Sequence, residues 1–203
     1  MGIQSSFVNM IDLKETEKAF QPNTTMVWIE TPTNPTLKLI DIKAVAQLAK
    51  SKNPNCVVVV DNTFASSYFQ SPLELGADIV LHSLTKYMNG HSDVVMGALM
   101  LNDDELHKRL RFMQNALGAV PSPFDCFLAN RGLKTLPVRM KQHSESAIKV
   151  AQSLLNNPRI EKLIYPGLPT HPQHDLYKSQ MKGFGGMISI YIKGGLKEAS
   201  VFM

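Results

Sequence analysis

Four short apolar runs, separated by stretches with helical spacing, constrain the fold of this chain more than any other feature. The runs are rich in Val and Ile, lack strict alternation of apolar and polar residues, and cover residues 25–30, 56–61, 78–83 and 96–101. Such runs are typical of strands that are covered on both faces of a sheet. Apolar residues also recur at helical spacing over residues 42–49 and 106–117, the latter with Asn102 as its expected cap. Alternating strands and helices predict an α/β fold with a mainly parallel sheet.

Composition and charge exclude several classes of protein. Hydrophobic residues make up 44% of the 203 residues and charged residues 19%, a balance typical of a globular protein. The longest purely aliphatic run, residues 57–60, is too short to cross a bilayer, so no membrane partner is expected. The basic residues behind the net charge of +4 are scattered, which argues against a nucleic-acid partner. Two cysteines cannot form a disulfide framework, and they favour a cytoplasmic location.

A shift in charge near residue 137 predicts a domain boundary. Residues 137–203 carry 9 Lys or Arg and 4 Asp or Glu, whereas residues 1–136 carry 12 and 13. We therefore expect one domain over residues 1–137 and part of a second over residues 138–203. The chain is expected to start in a strand, over residues 3–8, and to end within a helix that begins at Leu196. Because both end elements look interrupted, we expect the chain to be a piece of a longer protein.

Polar clusters follow three of the predicted strands, at residues 30–35, 60–64 and 83–93. In parallel α/β sheets, ligands bind beyond the carboxyl ends of the strands. The three clusters are therefore predicted to line one pocket.

Lys86, in the third cluster, is the strongest candidate for covalent chemistry. A lysine that is desolvated after an apolar strand becomes an amine nucleophile, as a Schiff base requires. The alternative is an ordinary solvated lysine in a loop. Ser83 and Thr85 add two hydroxyl groups within three residues of the amine, which suits a phosphate anion. A phosphate site beside a Schiff-base lysine indicates pyridoxal phosphate.

Asp61 and Asn34 each have a cofactor role and an ordinary alternative. Asp61 ends a strongly apolar strand, where its carboxylate could pair with a protonated pyridine nitrogen or could cap a helix. Asn34 could donate to a phenolic oxygen of the cofactor or could simply form a turn before Pro35. The histidines, including His91, His171 and His174, do not converge with the cysteines, and no metal site is predicted.

The three polar clusters resemble the signature segments of the trans-sulfuration family of pyridoxal-phosphate enzymes. Within that family, residues 118–125 and 131–136 are most similar to the branch of γ-lyases that cleave cystathionine. The resemblance covers essentially the whole chain. It implies the large α/β cofactor domain of a fold-type I pyridoxal-phosphate transferase, followed by part of a smaller α/β domain.

The resemblance also implies roles for matched residues. Lys86 would carry the cofactor and move protons, and Asp61 would pair with the pyridine nitrogen. Ser83 and Thr85 would hold the phosphate, Asn34 would approach the phenolic oxygen, and Thr63 would lie against one face of the ring.

The activity that the resemblance implies is γ-elimination of L-cystathionine to cysteine, 2-oxobutanoate and ammonia, with possible hydrogen sulfide release from cysteine, in a homotetramer. Cystathionine γ-synthase and methionine γ-lyase activities remain open as alternatives. A glycine-rich phosphate loop, a stacking tyrosine and a carboxylate-binding arginine of the family match nothing in this chain. We therefore expect this chain to be incomplete for catalysis and inactive when it is alone, and a non-catalytic truncated product is the third alternative.

Overall fold

The computed structural model describes residues 2–203, which form an α/β structure around a four-stranded sheet. Its strands lie in the order β1 (Met26–Glu30), β2 (Val57–Asp61), β3 (Ile79–Ser83) and β4 (Gly97–Met100). The first three strands are parallel, and β4 is antiparallel to β3. All four strands fall inside the predicted apolar runs, so the predicted α/β class and the mainly parallel sheet are confirmed.

Eight α-helices, a short 3₁₀ helix (Pro72–Leu75) and a second sheet complete the described part of the chain. The helices are α1 (Leu13–Ala19), α2 (Ile42–Lys52), α3 (Ser66–Phe69), α4 (Asp104–Leu117), α5 (Pro123–Leu133), α6 (Leu136–Leu154), α7 (His174–Gln180) and α8 (Leu196–Phe202). The second sheet is an antiparallel pair, β5 (Ile160–Ile164) with β6 (Ser189–Ile192). Within residues 2–203, no helix has the length and apolar character needed to cross a membrane.

The core between β1, β2 and α2 explains why the apolar runs form a buried sheet. Val58 and Val60 are fully buried there, together with Ile42 and Val45 from α2. Complete burial of one such side chain contributes about 1.5–3 kcal/mol. Asp41 fixes the start of α2 because its carboxylate accepts a hydrogen bond from Ala44 N at 2.9 Å. This packing therefore fixes the positions of the carboxyl ends of β1 and β2.

Two local predictions are wrong. Residues 3–8 form no strand, and the side chains of Ile3 and Phe7 are 83% and 102% exposed, so they have no sheet to pack against. The cap of α4 is Asp103 and not Asn102, since the Asp103 carboxylate accepts a hydrogen bond from Leu106 N at 2.7 Å. A carboxylate also suits the positive end of the helix dipole better than an amide does.

Helix α6 runs across the predicted boundary at residue 137, and Pro137 lies in its first turn, where proline is tolerated. Met140 of α6 packs in a core cluster with Leu84 and Met88, which follow β3. About three turns later, Ala151 packs against Tyr165, which follows β5. One continuous helix thus contacts both parts of the chain, and the division into two domains stays a prediction.

Candidate active site

The ends of β2 and β3 present two distinct faces. Side chains two residues apart in a strand point to the same side, so Asp61 and Thr63 share one face and Asn62 lies on the other. Ser83 N donates to Thr63 Oγ1 at 2.9 Å. We call Asp61, Thr63, Ser83 and the following Lys86 the cofactor face.

Asp61 lies half-buried at the end of β2, and only one of its carboxylate oxygens is engaged. Asp61 Oδ1 accepts hydrogen bonds from Thr63 Oγ1 at 2.6 Å and Thr63 N at 3.0 Å. Among residues 2–203, no donor binds Asp61 Oδ2. Asp61 is not a helix cap either, since α3 begins after Ala65. The local turn therefore orients the carboxylate and leaves one oxygen available.

Ser83 is joined to this carboxylate through Thr63, and Lys86 N donates to Ser83 O at 3.2 Å in the turn that follows. Lys86 belongs to the turn after β3, and its side chain is exposed. The expectation of a desolvated lysine is therefore wrong for this chain. Within residues 2–203, neither the Lys86 amine nor the Ser83 hydroxyl has a hydrogen-bond partner, and no carboxylate pairs with the amine.

Thr85 and Asn34 lie in different surroundings. Thr85 Oγ1 accepts a hydrogen bond from Met96 N at 3.0 Å and donates more weakly to Met96 O at 3.4 Å, which ties the lysine turn to the start of β4. Asn34 is exposed, and its backbone N donates to a carboxylate oxygen of Glu30 at 2.7 Å. In the described part of the chain, no hydrogen bond joins Asn34 to the cofactor face. The structure thus brings Asp61, Thr63 and Ser83 together and keeps Asn34 in a separate turn.

The free groups of the cofactor face fit the chemistry of pyridoxal phosphate. The free oxygen of Asp61 can accept a hydrogen bond from a protonated pyridine nitrogen, the Ser83 hydroxyl can donate to a phosphate, and the Lys86 amine can form a Schiff base. These three functions are what the cofactor requires, and they lie beyond the carboxyl ends of neighbouring parallel strands.

The opposite face of the same strand ends is filled by amide side chains, which sequence reasoning missed. Asn62 Nδ2 donates to the backbone oxygens of Gln70 at 2.9 Å and Ser66 at 3.2 Å. Gln70 Nε2 donates to Asn62 Oδ1 at 2.8 Å and to Thr31 O at 3.2 Å. Asn62, Gln70 and Thr31 are all buried. We call Asn62, Gln70, His82 and Gln180 the amide face.

Gln180, at the end of α7, joins this network from the far end of the chain. Its Nε2 donates to Gln70 Oε1 at 3.0 Å and to Ile40 O at 3.1 Å, and its Oε1 accepts from Ile42 N at 2.9 Å. Gln173 binds the neighbouring backbone, because its Oε1 accepts from Leu39 N at 2.9 Å. Two glutamines of the C-terminal part thus fix the segment between β1 and α2.

His82 is the titratable member of the amide face. Its ring is buried, with Nε2 3.4 Å from Asn62 Nδ2, and its Nδ1 has no partner in the described part of the chain. Burial lowers the pKa of His82 from 6.5 to about 4, and the nearby negative charge of Asp61 opposes this shift only in part. His82 is therefore neutral at pH 7.

Comparison with known proteins identifies the family. The profile of the family described as "Cys/Met metabolism PLP-dependent enzyme" matches residues 1–203. The chain is 60% identical to cystathionine gamma-lyase of Sus scrofa and 58% identical to that of Homo sapiens, in each case over 202 residues. These alignments cover 100% of this chain and 50% of each relative, so the chain spans about half the length of the curated relatives it matches.

Solved structures agree with this assignment. The structure of metB from Corynebacterium glutamicum superposes with a TM-score of 0.93 at 50% identity, over 96% of this chain and 50% of that one. A cystathionine gamma-lyase from Lactobacillus plantarum, complexed with L-serine, superposes with a TM-score of 0.90 at 42% identity, over 94% of this chain and 50% of that one. A profile match along the whole chain, an α/β sheet that superposes on these enzymes and strand ends that suit the cofactor lead to one conclusion: the chain belongs to the Cys/Met metabolism family of pyridoxal-phosphate-dependent enzymes.

Proposed function

We propose that this chain is part of a pyridoxal-phosphate-dependent carbon–sulfur lyase that converts L-cystathionine to cysteine, 2-oxobutanoate and ammonia. The observation that carries the proposal is the cofactor face, in which Asp61, Ser83 and Lys86 keep free polar groups. The identity of 58–60% to mammalian proteins named cystathionine gamma-lyase supports this choice of substrate.

In the proposed function, Lys86 and Asp61 have complementary roles. When bound, pyridoxal phosphate supplies an electron sink that stabilises negative charge on the substrate α-carbon. Lys86 would hold the cofactor through its amine and would move the α-proton of the substrate. Asp61 keeps the pyridine nitrogen protonated through its free Oδ2, and Thr63 fixes the orientation of that carboxylate from its other oxygen.

Four residues make the remaining cofactor contacts in this proposal. Ser83 donates its free hydroxyl to the phosphate, and Thr85 can redirect its hydroxyl proton there because its bond to Met96 O is long, at 3.4 Å. Asn34 approaches the phenolic oxygen from its exposed turn, and Thr63 lies against the ring.

We infer that the working form is a cytoplasmic homo-oligomer, namely a homotetramer of the longer protein of which this chain would be part. Four large apolar side chains on α4 and α5 support association because they are 62–73% exposed. They are Phe112, Leu117, Phe124 and Phe127. Two free thiols, Cys56 and Cys126, agree with a reducing compartment. Light scattering of the purified chain measures the assembly, and a monomer at micromolar concentration would contradict it.

Borohydride trapping tests the cofactor assignment directly. The 203-residue chain, incubated with pyridoxal phosphate and reduced, should carry the label on Lys86 when its peptides are mapped. Lys86→Ala should lose both the label and the visible absorbance of the bound cofactor, whereas the control Lys38→Ala, an exposed lysine, should keep both. Label on a different lysine would overturn the assignment, and absence of label would favour the non-catalytic alternative.

A substrate assay tests the reaction. For the longer protein of which this chain would be part, release of 2-oxobutanoate from L-cystathionine, lost in Lys86→Ala, is the expected result, whereas the 203-residue chain alone should show little or none. Faster release from L-methionine would instead indicate a methionine γ-lyase, and γ-replacement with cysteine as the added thiol would indicate a cystathionine γ-synthase.

A further inference from the structure

The turn that carries Lys86, residues 83–90, leaves two of its backbone carbonyl oxygens without a backbone hydrogen-bond donor among the described residues. Lys86 O accepts a hydrogen bond from Gly90 N at 2.8 Å, and Asn89 N donates to Leu84 O at 2.8 Å. Gly90 then takes a left-handed φ of 77°, so the turn stops. The carbonyl groups of Tyr87 and Met88 therefore have no backbone donor in the described part of the chain.

Arg139 of α6 supplies the missing donors. Its Nη1 donates to Tyr87 O at 2.6 Å, and its Nη2 donates to Met88 O at 3.3 Å. The same Nη2 donates to Gly132 O at 2.9 Å, and Nε donates to Thr135 Oγ1 at 3.0 Å. The guanidinium thus bridges the lysine turn to the junction of α5 and α6.

The Arg139 guanidinium binds backbone and hydroxyl oxygens and forms no ion pair within residues 2–203. The side chain is half-buried, and within residues 2–203 no carboxylate lies within salt-bridge distance of it. Burial lowers the pKa of the Arg139 guanidinium without a compensating acid. Backbone oxygens at the end of a turn carry partial negative charge and favour a cation there.

Two glycines show that the turn and the bridge are fitted closely to each other. A Cβ on Gly90 would lie 2.1 Å from Arg139 Nη1, and a Cβ on Gly132 would lie 2.1 Å from Asn89 O. Neither position can accept a larger residue without moving the turn or the guanidinium. The contact is therefore specific in shape as well as in charge.

We propose that Arg139 is a positioning residue for Lys86: its planar guanidinium binds the carbonyl groups of Tyr87 and Met88 and holds the turn that carries the lysine after Ser83. This inference rests on the proposed function of Lys86 as the cofactor-bearing lysine. A lysine at position 139 would keep the charge but not the planar fork, so it would satisfy fewer of these oxygens. Small displacements of a reacting group cost rate steeply, which links the bridge to the chemistry.

Hydrogen exchange of backbone amides tests the bridge without the cofactor. In Arg139→Ala and Arg139→Lys, the amides of Lys86, Asn89 and Gly90 should exchange at least about tenfold faster, the change expected from losing one charge-assisted hydrogen bond. Amides of β2 should keep their wild-type rates. The matched control is Arg131→Ala, an exposed arginine of α5, which should leave the turn unchanged. Unchanged exchange at residues 86–90 in both Arg139 variants would overturn the proposal.

Cofactor trapping with chemical rescue separates positioning from general stability. Arg139→Ala should label Lys86 at least about tenfold more slowly with pyridoxal phosphate and borohydride. Millimolar methylguanidinium should restore the rate, whereas methylammonium, which lacks the fork, should not. A wild-type labelling rate in Arg139→Ala, or equal rescue by both ions, would contradict the proposal.

The two experiments fail differently. If wild-type protein takes no label on Lys86, the proposed function is wrong, and the exchange rates still decide whether Arg139 holds the turn. If Arg139→Ala does not fold, Arg139→Lys is measured in the same way, and a wild-type result in that variant overturns the role of the fork.

Discussion

The two faces of the strand ends differ in how completely their polar groups are satisfied. On the cofactor face, Asp61 Oδ2 and the Ser83 hydroxyl have no partner within residues 2–203. On the amide face, the side chains of Asn62 and Gln70 bind each other and nearby backbone oxygens at 2.8–3.2 Å. Buried polar groups need partners to offset their lost hydration, whereas groups that await a ligand need free positions. We infer from this difference that the free groups of the cofactor face are available to a ligand, whereas the paired side chains of the amide face stabilise the strand ends.

Strand geometry places both faces within a few residues of each other. Asp61 and Asn62 are adjacent in sequence, yet they point to opposite sides of the sheet, and the same holds for His82 and Ser83. A substitution on one face should therefore change function, and its neighbour should change stability. The following substitutions test this separation, starting with the largest expected effect.

Asp61→Asn should slow exchange of the substrate α-proton by about 10²–10³-fold, the scale of removing one electrostatic contact from a reacting centre. The free energy of unfolding should change little, because the amide oxygen can still accept from Thr63 N. Proton exchange followed by NMR measures the rate, with Asp104→Asn, an exposed residue of α4, as the control. An unchanged rate with the cofactor bound would make Asp61 a structural residue.

Gln70→Leu should lower the free energy of unfolding by about 3 kcal/mol, because it leaves Asn62 Oδ1 and Thr31 O buried without donors. Urea unfolding measures the loss. Gln47→Leu, an exposed glutamine of α2, is the matched control and should cost much less. Equal losses in the two variants would mean that the amide face is not special.

His82 should make stability depend on pH in the mildly acidic range. Its pKa is about 4 when folded and 6.5 ordinarily, so the unfolded chain binds the extra proton first as pH falls. The contribution of neutral His82 to the free energy of unfolding is complete above pH 6.5. About 2 kcal/mol of this contribution should be lost between pH 8 and pH 5. The difference between wild type and His82→Leu in urea unfolding at several pH values measures this loss, with His107→Gln as the exposed control. A pH-independent difference would contradict the burial of a neutral ring.

Ser83→Ala should have the smallest effect on stability, within about 0.5 kcal/mol, because the hydroxyl binds no protein group. It should nevertheless weaken cofactor binding by about tenfold through one lost phosphate contact. Thermal unfolding without ligand and a titration with pyridoxal phosphate measure the two quantities. A clear loss of stability together with unchanged cofactor affinity would reverse the assignment of Ser83 to the cofactor face.

Sequence reasoning could predict that Asp61 and Ser83 lie at one edge of the sheet because they end strands with strong local signals, and their roles toward the cofactor stay a prediction. Runs of Val and Ile located β2 and β3, and parallel topology then brought Asp61 and Ser83 to one edge of the sheet. The expected solvent exclusion of Lys86 was wrong, since an apolar strand before a lysine does not determine what covers the lysine.

The amide face and Arg139 could not be predicted in the same way. Gln180 lies 110 residues from Gln70, and Arg139 lies 52 residues from Tyr87, so no local pattern connects these partners. Helix α7 also begins without a side-chain cap, so the usual start signal of a helix is missing from its sequence. Partners of this kind are set by tertiary packing, which periodicity does not record.

The link between Gln180 and Gln70 has a consequence for the nascent chain. Ribosomes add roughly 5–20 residues per second, so Gln180 is made about 5–20 s after Gln70, given their separation of 110 residues. During that interval, Gln70 Oε1 and Ile40 O lack this donor, although β1 and β2 are already synthesised and β3 follows within the next 13 residues. The amide face of the nascent sheet is therefore accessible to water or to a chaperone until α7 has been synthesised and Gln180 can bind.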